Sequence, residues 1–225
     1  VIFAGSGVRQ GMGPARLRDV AERLQCPVMT TPKGKGVFPE DHPLSLGVFG
    51  FGGHPSALTF VNEGIGSMLA IGTSLGDLAT NGWSEKLKPA SHLVHVDIDA
   101  SRIGRSYAAT QAIAAPAEEF LAQLLDVLPE PTRRGWHGVH TFTDAERTGD
   151  GPEGFIAPQR AIWEIQRALG RDAAFTVDSG EHFLWATHYL RIHHPDAFFV
   201  MTGLGSMGTS IGAAMGIQLA RPRRP

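Results

Sequence analysis

Phe198-Phe199-Val200-Met201-Thr202-Gly203-Leu204-Gly205-Ser206-Met207-Gly208-Thr209-Ser210 passes from an apolar run into a glycine-rich turn and then into a helix start. That order predicts a strand over 198–201 and a helix over Ser210 to Leu219, one βα unit of a parallel sheet. Glycines at 203, 205 and 208 allow backbone geometry and close approach that other residues forbid, so something flat or anionic is expected against the turn. Gly212 and Gly216, four apart, point to close helix packing, and Met215 reads as core. Met207 is different: inside a glycine turn its apolar side chain stands exposed unless something covers it.

The stretch upstream has the same form. Ala174 to Val177 reads as a strand, and Asp178-Ser179-Gly180 leads into a helix from about Glu181 to Tyr189, with Ser179 or Asp178 placed to cap it. Glu181 and His182 fall in its first turn. Turns that leave the carboxyl ends of parallel strands hold ligands, because helix N-termini there turn N–H groups and positive dipole ends outward. Taken alone, the turn reads equally well as a capped helix start with a satisfied histidine. Before it, Pro158 to Leu169 has helical periodicity with Ile162, Ile165 and Leu169 expected inward.

From 129 to 157 the pattern dissolves into Pro129, Pro131, Arg133-Arg134-Gly135 and Thr148-Gly149-Asp150-Gly151-Pro152, with Trp136 and Phe142 left to bury. This predicts a linker between a central α/β domain at 1–128 and a second α/β unit at 158–225. In the first segment Val1 to Ala4, Val28 to Thr31, Met68 to Ile71 and His92 to Asp97 read as strands. Pro14 to Leu24 (Leu17, Val20, Ala21 and Leu24 on one face), Ser56 to Asn62 and Pro116 to Val127 read as helices, and Pro32 to Pro55 as a long loop. The fold class is therefore α/β, with two parallel-sheet units.

A net charge of −2 gives no electrostatic reason to expect nucleic acid or an acidic membrane. No run approaches the ~20 apolar residues of a membrane span, no secretory leader is visible, and a single cysteine, Cys26, read as core, rules out an internal disulfide. A cytoplasmic protein is expected. Both ends read as cut, since Val1-Ile2-Phe3-Ala4 is already strand-like and Arg221 to Pro225 follows directly on a helix.

Ala4-Gly5-Ser6-Gly7 lacks the third glycine and the distant acidic residue of a dinucleotide fingerprint, and Lys33-Gly34-Lys35-Gly36 lacks the ending of a phosphate-binding P-loop. Those lysines read as a solvated loop. His182 and His188 are six apart and His193-His194 precede a proline, so neither pair has zinc spacing, and no Gly-x-Ser-x-Gly elbow occurs.

The run GLGSMGTSIGAAMGIQLARP (203–222), with DSGEHFLWATHYL (178–190) before it, resembles the start of the diphosphate-binding domain of acetolactate synthase and related 2-oxoacid decarboxylases. IFAGSGV, PVMTTPKGKGVFPEDHPLSLGVFGFGG, LAIGTSL and LVHVDIDASRIG resemble the central domain of the same thiamine-diphosphate enzymes. The resemblance implies a thiamine-diphosphate- and magnesium-dependent enzyme acting on a 2-oxoacid, by decarboxylation with carboligation, as a homodimer or homotetramer. It puts Glu181 and His182 on the diphosphate, the Gly205 carbonyl on the 4′-amino group and Met207 under the bent cofactor, with Gly203 and Ser206 shaping the turn. Glu181 stands where the family more usually has Gln. In the central domain the resemblance implies FAD, ADP or no nucleotide, with Gly5, Gly7, Gly72, Thr73 and Asp97 as candidates; a nucleotide-binding module or a non-catalytic oligomer partner is the alternative. The family's activating glutamate is expected in a preceding domain and its Gly-Asp-Gly…Asn magnesium motif just beyond Pro225. No catalytic residue or metal ligand is therefore expected within 1–225, and the 225-residue piece alone is expected to be inactive and to bind the cofactor weakly.

Overall fold

The computed structural model describes residues 1–129, 146 and 148–225; Pro131, Arg133 to Gly135, Trp136 and Phe142 of the expected linker lie outside the described residues. Six parallel strands, β1 (Ile2–Ala4), β2 (Val28–Thr30), β3 (Ser45–Val48), β4 (Ser67–Ile71), β5 (His92–Asp97) and β6 (Gln111–Ala114), form a sheet of order β3-β2-β1-β4-β5-β6. The chain winds outward from β1 on one side, then returns to lay β4 on the other. The carboxyl ends of β1 and β4 thus meet at the point of reversal, where doubly wound sheets open a crevice.

Helices α1 (Gly13–Leu24) and α4 (Ala117–Val127) cover one face, and α2 (Pro55–Glu63) covers the other, while α3 (Asp77–Thr80) is a single turn beyond β4. Ile2 and Ala4 pack with Leu17, Val20 and Leu121 on the first face. Phe3 points to the second, where it meets Phe49 edge-on at 6.0 Å beside Met29 and Val61. Burial on both faces is why β1 is continuously apolar. Cys26 packs half-buried against the first of these cores.

Two strands escaped the sequence reading. Within 32–55, expected as loop, the chain forms a 3-10 turn at Pro32–Gly34, capped by the Thr31 hydroxyl, and then strand β3. Gly47 (φ 76°) sits at the register shift against β2, so the strand carries a bulge that breaks its periodicity. β6, Gln-Ala-Ile-Ala, is a poorly buried edge strand with little apolar signal. Leu24, expected inward, is exposed at the last turn of α1.

The second unit comprises α5 (Pro158–Leu169), β7 (Phe175–Val177), α6 (Glu181–Tyr189), β8 (Phe198–Val200) and α7 (Thr209–Ala220), with β7 and β8 paired in parallel. Val177, Phe183, Ala186, Leu190, Ile192 and Phe198 form its core, and Ile162 packs on it. Ile165, Leu169 and Met215, all expected inside, are exposed. Gly212 and Gly216, expected against another helix, face open space. The physical reason is the width of the sheet: two strands cannot bury an apolar face on each of three helices.

The second unit sits on the 32–55 segment. Lys35, expected in a solvated loop, is fully buried and paired with the Glu40 carboxylate, whose other oxygen accepts the Ile192 N–H at 2.8 Å. Arg9 donates to the carbonyls of Pro195 (2.7 Å), Lys33 (3.0 Å) and Phe198 (3.1 Å), bridging both units. His54 Nδ1 accepts the Val48 N–H at 2.8 Å, which leaves Nε2 as the donor to the His188 carbonyl, also at 2.8 Å. Burial, reinforced by the nearby Lys35 charge, holds the His54 imidazole well below its ordinary pKa, so it is neutral in the fold.

Candidate functional site

Because β7 and β8 are parallel neighbours, the turns at their carboxyl ends lie side by side. The Ser179 N–H approaches the Ser206 carbonyl at 3.5 Å, and a side chain at Gly205 would reach toward the Ser179 hydroxyl. Gly205 (φ 65°) and Gly208 (φ 82°) take the left-handed conformation that the turn requires. Glu181 and His182 are exposed in the first turn of α6, and the His182 ring lies over Gly180, where a Cβ would come within 2.6 Å of it. All six residues read from the sequence, Glu181, His182, Gly203, Gly205, Ser206 and Met207, therefore belong to one pair of adjoining turns.

The capping expectation needs correction. Helix α6 starts at Gly180 without a side-chain cap. Asp178 turns instead to the next helix, where it accepts the N–H groups of Gly208 and Ser210, each at 2.7 Å, and the Thr209 hydroxyl at 2.9 Å. Desolvation pushes the Asp178 carboxyl upward, but hydrogen bonds from Ser210, Gly208 and Thr209 outweigh it and lower its pKa to about 2. A cap can act on a helix thirty residues away once the sheet brings the two together, and local sequence spacing cannot show that.

A cavity of about 370 Å³ opens between the units, lined by Glu181, Gly205 and Phe183 from the second and by Phe51 and Leu78 from the first. Phe51 stacks on Phe183 with ring centroids 6.5 Å apart, and its N–H donates to the Leu78 carbonyl at 2.8 Å. Gly50 and Gly52 flank it at positive φ, and a Cβ at Gly52 would press on Leu184. Phe51 and Leu78 went unnoticed in the sequence; the Gly-Phe-Gly-Gly spacing of 50–53 was the available signal. His182, Gly203, Ser206 and Met207 do not line this cavity, and Met207 is 82% exposed.

At the reversal between β1 and β4 the glycines are used on one another. The Gly7 N–H donates to the Gly72 carbonyl at 2.9 Å, a Cβ at Gly7 would lie 2.8 Å from the Gly72 Cα, and one at Gly5 would strike the Gly72 oxygen. Beside them a second cavity, about 330 Å³, is lined by Ser6, Lys33, Gly72, Thr73, Asp77 and Thr202. Gly5, Gly7 and Asp97 do not line it, and the Asp97 carboxylate instead accepts the Asp99 N–H at 2.9 Å. Leu78 and Thr202 border both cavities. A roomier concavity, about 690 Å³, lies at Arg221 to Pro225 and contains none of these residues. Among the described residues no cluster of His, Cys, Asp and Glu is placed to hold a metal, and no helix is long and apolar enough to cross a membrane.

A doubly wound parallel sheet followed by a parallel βα pair with adjoining glycine turns is an arrangement in which α/β proteins bind ligands at the carboxyl ends of strands. Residues 1–124 match the thiamine pyrophosphate enzyme central domain and residues 178–225 the C-terminal TPP binding domain, so the chain belongs to the thiamine pyrophosphate enzyme family. Over its whole length it is 34% identical to the acetolactate synthase large subunit of Parasynechococcus marenigrum and 30% identical to the acetolactate synthase isozyme 1 large subunit of Escherichia coli. Over 99% of its length it is 32% identical to the probable acetolactate synthase large subunit of Methanocaldococcus jannaschii. The chain spans 37–40% of the length of these relatives.

Proposed function

We propose that the chain is a segment of a thiamine-diphosphate- and magnesium-dependent, acetolactate-synthase-like enzyme that decarboxylates a 2-oxoacid and joins the acyl unit to an acceptor. The observation that carries this reading is Met207, an apolar side chain standing exposed in a left-handed glycine turn directly beside the uncapped start of α6. The residues present fit one flank of thiamine diphosphate: a polar helix start for the diphosphate and an apolar projection with a bare backbone for the rings. Bound there, the cofactor supplies the carbon nucleophile and the electron sink for decarboxylation.

The chain's own residues bind and orient. Glu181 and His182 hold the diphosphate end, where the Glu181 carboxylate requires magnesium or a proton between it and the phosphates. The Gly205 carbonyl accepts from the 4′-amino group, Gly203 and Ser206 shape the turn, and Met207 props the rings, a positioning effect. Phe51, Leu78 and Phe183 give the adjoining cavity an apolar wall. For the central domain the reading stays FAD, ADP or no nucleotide, with the cavity at Gly72 and Thr73, bordered by Lys33, as the place for one. Domains at 1–128 and 158–225 joined by 129–157, a homodimeric or homotetrameric state and a cytoplasmic location complete the reading.

Calorimetric titration of the intact protein with thiamine diphosphate is expected to give binding that disappears when magnesium is chelated. Absence of binding in magnesium would overturn the proposal.

A further inference from the structure

Helix α7 has no cap of its own: Gly208 precedes it in a left-handed conformation and offers no side chain. The strand end of β7 supplies one. Asp178 accepts three hydrogen bonds from Gly208, Thr209 and Ser210, the Thr176 hydroxyl donates to the Ser210 carbonyl at 2.9 Å, and the Ser179 N–H approaches the Ser206 carbonyl. Thr176 at the strand end and Asp178 and Ser179 in the turn thus hold four residues of the other turn, Ser206, Gly208, Thr209 and Ser210. The carboxylate also answers the positive end of the α7 dipole. The N-termini of α6 and α7 are consequently unequal, with that of α7 occupied by Asp178 and that of α6 left without a side-chain cap.

We infer that Asp178 is a positioning residue for the cofactor: its carboxylate fixes the Gly203–Gly208 turn against the start of α6, so that the diphosphate arm and the ring arm of the site are preformed at one separation. This rests on the thiamine-diphosphate reading above. It also divides the two helix starts, since a carboxylate at α7 leaves α6 as the end that receives the diphosphate. Charge matters as well as shape, because a carboxylate accepts from N–H groups about twice as strongly as a neutral acceptor.

Asp178→Asn and Asp178→Ala in the intact protein test this with three readouts: cofactor affinity in magnesium, near-ultraviolet circular dichroism of the bound aminopyrimidine ring, and amide hydrogen exchange at Gly208 and Ser210 without cofactor. Asp178→Asn is expected to weaken binding about tenfold and Asp178→Ala further, the amide side chain rescuing part of the loss. At saturating cofactor the dichroism of the ring should fall in both, which a general loss of stability would leave unchanged. Exchange at both amides should speed up at least about tenfold, the factor expected for losing a charged cap. Unchanged affinity and dichroism in Asp178→Asn, with the unsubstituted protein binding, would overturn the inference while the proposed function stood. If the unsubstituted protein failed to bind, the proposed function would fall, and the inference, which rests on it, would fall with it. Exchange would then still report separately whether Asp178 holds the turn.

Discussion

The two units spend their apolar residues differently. In the first, a six-stranded sheet is covered on both faces, and Phe3, Phe38, Phe49 and Leu17 are fully buried or nearly so. In the second, two strands carry three helices, and Leu204, Met207, Ile211, Met215 and Leu219 stand exposed along one turn and one helix. The composition of the two is alike, so an apolar residue tells where a core lies only when the sheet beside it is wide enough to make one. A contiguous exposed apolar stripe marks a surface made to be covered. The seam between the units is of a third kind, polar and buried, built from Arg9, Lys35, Glu40 and His54.

That contrast is sharpest at the seam, where the largest effect is expected. Glu40→Gln removes the carboxylate charge paired with the buried Lys35 ammonium and one of the two oxygens that serve Lys35 and Ile192, so unfolding by denaturant should show a loss of about 3–5 kcal/mol. A loss under about 1 kcal/mol would mean that the seam is wetter than the structure shows.

Acid should act on the same seam. The folded-state pKa of His54 lies below its unfolded value because burial disfavours the cation. The unfolded chain therefore binds the extra proton first, and stability that is complete above about pH 6.5 is lost as pH falls toward the folded pKa, by up to about 1.4 kcal/mol per pH unit. Unfolding measured at pH 7, 6 and 5 should show this slope, and His54→Asn should reduce it, the remainder coming from His188 and His193, whose imidazoles burial also holds below their ordinary pKa. A slope undiminished in His54→Asn would assign it elsewhere.

Smaller still is Phe51→Ala, which removes a stacked ring from Phe183 and should cost about 1 kcal/mol beyond its lost burial. A double-substitution cycle with Phe183→Ala isolates that coupling, and a coupling of zero would show the contact to be idle. Least of all, Met207→Ala should leave stability within about 0.5 kcal/mol, because the side chain has little to pack against. A larger loss in thermal unfolding would make Met207 a core residue and remove the contrast between the units.

Much of this was legible in the sequence. The βα order, β1, β2, β4, β5, β7 and β8, and the two adjoining turns of the second unit follow from short apolar runs ending in glycine. β3 was hidden by the bulge at Gly47, and β6 by its exposure. Lys35 misled because a lysine between glycines ordinarily lies in water, and only the fold brings Ile192 to the Glu40 carboxylate that pairs with it and Phe198 beside it. The six residues of the candidate site were readable as two motifs. What could not be read was how they are tied, since Asp178 reaches a helix thirty residues on, and Phe51 and Leu78 arrive from the other unit.

The account stands on those two turns being the ligand face. Amide hydrogen exchange of the intact protein, with and without thiamine diphosphate and magnesium, tests it most directly. Protection should rise at 179–183 and 203–208 and stay unchanged across the strands of the first sheet. Protection that rose only around 72–77, or nowhere, would contradict it.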